Sequence, residues 1–138
     1  MGTKAPWHLW VVGILSLLWD GSGAFTIVSA QHDAIFAFAP DEAEYYAAQA
    51  PWFVALVDIG LATALLGGIG LLLRKRSALW AYAVSLVLIL AGDAYELAIG
   101  TSRVYANDAA AFVTGLIAVI AVLQLAYANA MAKRGVLG

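Results

Sequence analysis

The stretch PWFVALVDIGLATALLGGIGLLL-RKR-S-ALWAYAVSLVLILAGDAYELAI, residues 51–99, decides the fold. Two apolar runs flank the basic turn Arg74-Lys75-Arg76, and each run reaches the roughly 20 residues that a membrane-spanning helix needs. Two similar runs lie on either side of this stretch. The sequence therefore predicts an all-α membrane protein, a bundle of four transmembrane helices in a single domain covering residues 1–138. The predicted spans are 9–29, 51–73, 78–99 and 109–129.

The composition agrees with this fold class. Hydrophobic residues make up 64% of the chain and charged residues 12%, whereas soluble domains are about 45–50% apolar and about 25% charged. The lipid bilayer is therefore the expected partner, and a net charge of -2 gives no support for a nucleic-acid partner.

The chain carries none of the usual residue patterns of a cofactor or metal site. It has no cysteine, which excludes disulfides, thiolate metal sites and iron–sulfur clusters. His8 and His32 are about 36 Å apart along a helical rise, too far to bind one haem. No nucleophile–base pair, phosphate-binding loop or metalloprotease motif occurs either. We therefore expect no cofactor, no metal site, no catalytic residue and no enzymatic activity.

The basic residues predict the orientation in the membrane. Lys4, the turn Arg74-Lys75-Arg76, and the pair Lys133-Arg134 fall on one side of the bilayer, while Arg103 falls on the other. By the positive-inside rule, both termini are expected in the cytoplasm, with the chain in a bacterial inner membrane. The first periplasmic loop is expected to contain a short interfacial helix that begins near Pro40.

Four of the nine acidic residues lie within the predicted spans, whereas none of the seven lysines and arginines does. Each such acid costs roughly 2.5–3.5 kcal/mol at a helix centre on insertion scales. Counted from the outer end of its span, Asp20 is about 8–9 residues deep, Asp58 about 7 and Asp93 about 6. These acids, with Glu96 nearer the outer end and Thr114 on the fourth span, predict a polar cluster in the outer half of the bilayer.

Small residues recur at three- and four-residue spacing along the predicted spans, as is usual where helices pack closely in lipid. The residues expected to pack are Gly13, Ser16, Gly60, Ala64, Gly68 and Gly92. Asp58 does not lie on the stripe of Gly60 and can instead face a second protomer. Gln124, on the fourth span, is more typical of an interhelical hydrogen bond than of a ligand.

Three interpretations of the acids remain open. They can satisfy one another as neutral, hydrogen-bonded groups or line a wet crevice. They can form a site in a transporter or binding protein for a proton, a cation or a small polar solute, since low dielectric disfavours an uncompensated carboxylate. Alternatively, the chain is an accessory or structural subunit, forming a homo-oligomer or joining a larger membrane protein complex.

Several segments resemble a family of small bacterial four-span membrane proteins. They are PWHLWVVG (6–13), LWD (18–20), GAF (23–25), YY (45–46), APW (50–52), LLLRKR (71–76) and MAKRGVL (131–137). Members of that family are called hypothetical membrane proteins and are sometimes labelled sugar transporters. The family pattern has Asn where this chain has Asp20, and Asp where it has Thr26. The resemblance therefore implies the four-span fold and does not by itself assign a site.

Overall fold

The computed structural model describes residues 3–32, 48–99 and 108–138, and the regular structure in these ranges is helical. The helices are α1 (Trp7–His32), α2 (Pro51–Leu72), α3 (Ser77–Ile99) and α4 (Asp108–Lys133). All four are long and apolar enough to cross a membrane. Four helices of the expected length and apolar character are thus confirmed, with α1 and α4 extending beyond the predicted ends. The interfacial helix predicted near Pro40 lies outside the described residues.

Local sequence sets both ends of α2. Pro51 occupies the start of the helix, where its missing N–H would have had no helical partner. At the other end, the N–H of Lys75 donates to the carbonyl of Gly70 at 2.8 Å, and Arg74 adopts a left-handed φ of 57°. Glycine usually occupies that position in this helix ending. Arg74 stands there at a conformational cost of about 1–2 kcal/mol.

The chain runs up and down through the bundle, which gives the bundle two different ends. The segment before α1, the α2–α3 turn and the segment after α4 lie at one end, called here the terminal end. The opposite end, where α1 ends and α2 begins, is called the far end. Helix α2 packs against α1 and α3, and α3 packs against α4. A hydrogen bond between the His8 ring and the Tyr127 hydroxyl links α1 to α4.

Close packing around α2 depends on residues that have no Cβ. A Cβ at Gly67 would lie 2.7 Å from the ring of Tyr82, and a Cβ at Gly68 would lie 2.7 Å from Leu17. The Tyr82 ring of α3 therefore fits against the Gly67 backbone of α2. All of the residues predicted to pack are buried, namely Gly13, Ser16, Gly60, Ala64, Gly68 and Gly92.

Arg74 joins both chain-terminal segments to the α2–α3 turn. Its Nε donates to the carbonyl of Val136 at 3.1 Å, and its Nη2 donates to the carbonyl of Thr3. Beside it, the N–H of Arg76 donates to the carbonyl of Gly138 at 2.9 Å. The buried cluster beneath this junction, called here the terminal core, consists of Leu9, Leu71, Ala78, Tyr82, Ala128, Met131, Val136 and Leu137. Mainly apolar side chains therefore fill the terminal end.

The substitution Gly67→Ala is expected to lower the stability of the bundle by about 1–3 kcal/mol, because the added methyl group would overlap a ring that is only 2% exposed. Thermal unfolding in detergent, followed by circular dichroism, measures this effect. Gly115→Ala is the matched control, because no residue of the described ranges lies within 4 Å of a Cβ at that position. Equal melting temperatures for the two variants would show that the Gly67–Tyr82 contact is not tight in the folded protein.

Candidate functional site around Asp20

Asp20 is the only buried acid among those whose side chains are described, with 8% of its surface exposed. It lies near the middle of α1, about 18–20 Å along the helix from either end. Its Oδ2 accepts a hydrogen bond of 2.9 Å from Nε2 of Gln124 on α4. The interhelical hydrogen bond predicted for Gln124 is thus confirmed, and its partner is a carboxyl group.

Two more polar side chains adjoin this pair. Ser16 is buried one helical turn before Asp20, and Tyr82 reaches the same region from α3. The Tyr82 hydroxyl is close enough to Ser16 and Asp20 to interact with them electrostatically. In the described part of the chain, however, no group meets the full distance and angle requirements of a hydrogen bond with this hydroxyl. The central cluster, defined here as Ser16, Asp20, Tyr82 and Gln124, therefore contains a hydroxyl group without a well-formed hydrogen bond.

The central cluster contains no basic residue to balance the carboxylate. No lysine or arginine lies deep within the four described helices; the basic residues that the structure describes are Lys4, Arg74, Lys75, Arg76, Lys133 and Arg134, at the terminal end. His8 lies 12 positions before Asp20 and bonds to Tyr127 instead. A buried charge without a counter-charge is costly, so Asp20 requires a proton, a cation or water.

The structure corrects the shared depth predicted for the three aspartates. A Cβ at Gly21, the neighbour of Asp20, would lie 3.9 Å from Leu65 of α2, so Asp20 is level with that residue. Asp58 lies seven residues further along α2, about 10 Å nearer the far end. Counting from the predicted outer end at Ser29 placed Asp20 too near the surface, because α1 continues to His32.

Asp58, Asp93 and Glu96 occupy the far third of the bundle, and all three are partly buried. The neighbour of Asp93, Gly92, faces Leu56 of α2, since a Cβ there would lie 3.5 Å from that side chain. Asp93 and Asp58 are therefore within about one helical turn of each other in depth. Thr114 is exposed on α4. The structure thus separates Asp20 from the three acids nearer the far end.

Sequence reasoning did not single out Tyr82. One signal for Tyr82 was available, because a tyrosine five residues inside a span lies deeper than the interfacial belt in which aromatic residues usually occur. The adjacent pair Gly67-Gly68 gave a second signal, since it leaves room for a large ring from a neighbouring helix.

Comparisons of the chain with family models, with curated proteins and with solved structures find no match in any of the three. The central cluster is therefore interpreted from its own residues and their contacts.

The variants Asp20→Leu and Gln124→Leu are each expected to destabilise the bundle by about 1–3 kcal/mol, because each leaves a buried polar partner without its hydrogen bond. The double variant is expected to lose less stability than the sum of the losses in the two single variants. Equilibrium unfolding in detergent should give a coupling energy above about 0.5 kcal/mol.

Ser85→Ala combined with Asp20→Leu provides the control. Ser85 is also buried and interhelical, but its hydroxyl donates to the carbonyl of Gly60 at 2.9 Å and shares no partner with Asp20. Its effect should add to that of Asp20→Leu within about 0.5 kcal/mol. Additive behaviour in both pairs would show that the Asp20–Gln124 hydrogen bond does not stabilise the fold.

Proposed function

We propose that this protein is a small transporter or binding protein for a proton or a small cation, with Asp20 as the group that holds the positive charge. The observation that carries the proposal is a carboxyl group that is 8% exposed, mid-helix, and hydrogen-bonded to a neutral amide. A counter-charge supplied by a ligand satisfies such a group, as intramembrane acids in proton and ion pathways illustrate.

The three acids in the far third of the bundle indicate the end from which a cation would reach Asp20. Asp58, Asp93 and Glu96 are partly buried, and an acidic entrance raises the local concentration of cations. On the opposite side of Asp20, the terminal core is mainly apolar. A cation is therefore expected to enter from the far end, pass these acids and stop at the central cluster.

We also propose that the far end faces the periplasm and both termini face the cytoplasm of a bacterial inner membrane. Support comes from the six basic residues at the terminal end, which the positive-inside rule assigns to the cytoplasm. Fusion of a fluorescent protein or alkaline phosphatase after Gly138 tests the orientation. Fluorescence without phosphatase activity is expected, and the reverse pattern contradicts it.

An accessory or structural subunit is the second candidate function. The observation that favours it is the exposure of Gly115 on α4, near which no other described residue would contact a Cβ, so that its backbone offers another membrane protein or a second copy a close approach. Native mass spectrometry after mild extraction distinguishes the candidates. A stoichiometric partner supports the second candidate, and a lone monomer or simple homodimer opposes it.

Replacement of Asp20 by Asn is expected to reduce cation or proton flux into proteoliposomes at least about tenfold, because an amide keeps the shape of the side chain but neither titrates nor carries the negative charge that balances a cation. Flux is measured with an internal pH dye under an imposed membrane potential, and with sodium as the alternative ion. Lys75→Gln is the control, because Lys75 is exposed in the α2–α3 turn. Unchanged flux in folded Asp20→Asn protein would refute the proposal.

A further inference from the structure

A cleft of about 660 Å³ separates α1 from α4 and opens to the side of the bundle. Its walls include the large side chains of Leu15, Trp19, Leu123 and Tyr127, together with the small side chain of Ala126. The volume lies within the range of roughly 300–1,000 Å³ that is usual for small-molecule sites. The cleft is therefore large enough for a compact organic ligand.

The cleft adjoins the central cluster through two shared residues. Ser16 and Gln124 line the cleft, and the amide of Gln124 donates to the carboxyl group of Asp20 at 2.9 Å. A ligand in the cleft would therefore lie one amide group away from the buried carboxyl, and displacement of that amide would bring it into direct contact. Among the described residues, none that lines the cleft is basic or acidic.

From these contacts we infer that the cleft binds a hydrophobic, monovalent organic cation, which enters sideways from the membrane and places its charge against Asp20. This inference rests on the proposed function, because it uses Asp20 as the counter-charge, and it adds the ligand class and a second route of entry.

Charge complementarity distinguishes this ligand from a neutral lipid chain. The described helices offer Asp20 no basic partner near the bundle centre, and the rings of Trp19 and Tyr127 attract a cation that lies against their faces. The Tyr82 hydroxyl, on a side chain only 2% exposed, has no hydrogen-bond partner in the described part of the chain and directs a further oxygen toward Ser16 and Asp20. An acyl chain would use neither the carboxyl group nor this hydroxyl.

Equilibrium dialysis of the purified full chain against tetraphenylphosphonium tests the inference, with tetraphenylborate as an anion of matched size and shape. Saturable binding of the cation is expected, without saturable binding of the anion. The substitution Asp20→Asn should weaken cation binding at least about thirtyfold, as loss of a buried charge partner does. Equal binding of both ions would identify a merely apolar groove, occupied by lipid chains, and would overturn the inference.

Two variants test the position of the ligand without altering the carboxyl group. Ala126→Leu fills the cleft and should weaken tetraphenylphosphonium binding about tenfold, whereas Ala62→Leu adds the same atoms at an exposed site on α2, outside the cleft, and should not. Leu123→Ala removes part of the wall and should also weaken binding if Ala126→Leu fails to fold. Equal affinities in wild type, Ala126→Leu and Leu123→Ala would overturn the assignment to this cleft.

The two proposals fail in different ways. Absence of tetraphenylphosphonium binding to wild-type protein, combined with proton or sodium flux that Asp20→Asn abolishes, would overturn the inferred ligand class and leave the proposed function intact. Flux and binding that Asp20→Asn leaves unchanged would overturn both proposals.

Discussion

The contact between the Tyr82 ring and the Gly67 backbone determines both the packing of α3 on α2 and the position of a polar group in the candidate site. A Cβ at Gly67 would overlap the ring, so α2 and α3 approach closely only because that atom is absent. The ring then extends past Gly68 toward α1, whose Leu17 packs on the same glycine. As a result, the hydroxyl lies beside Ser16 and Asp20, and the packing of α3 on α2 also positions a polar group near the buried carboxyl.

The energies involved indicate why Asp20 requires more than Gln124. A carboxylate at the centre of a spanning helix costs roughly 2.5–3.5 kcal/mol on insertion scales. An interhelical hydrogen bond in a membrane contributes about 0.6 kcal/mol on average and at most about 1.7 kcal/mol. The amide of Gln124 therefore offsets only part of the cost. A proton removes the charge and a cation balances it, and this difference in energy is the physical basis of the proposed function.

The four spans could be predicted because a membrane helix needs a long apolar run, and that requirement is local in sequence. The relative depth of residues on different helices could not, because it depends on which side chains meet between the helices. Gly21 lies beside Leu65, and this contact places Asp20 about 10 Å deeper than Asp58. Counting residues from the predicted ends of the two spans gives the two acids similar depths. Gln124 was recognised as an interhelical hydrogen-bonding residue, but its partner depends on the same register.

The two ends of the bundle differ in a way that bears on the choice between transport and binding. At the terminal end, Arg74 accepts a left-handed backbone at a cost of about 1–2 kcal/mol. Its charged side chain donates two hydrogen bonds. In this partly exposed position, each bond contributes no more than the roughly 1.5–3 kcal/mol that is usual for a charged donor. The bond to Val136 holds the segment of Val136 and Leu137 in the terminal core, which separates Asp20 from that side. A cation bound at Asp20 therefore leaves toward the terminal end only if this segment and its packing move, whereas binding from the far end or from the cleft needs no such movement. Under the proposed function, whether a cation at Asp20 is transported or only bound thus depends on the stability of the Arg74 contacts.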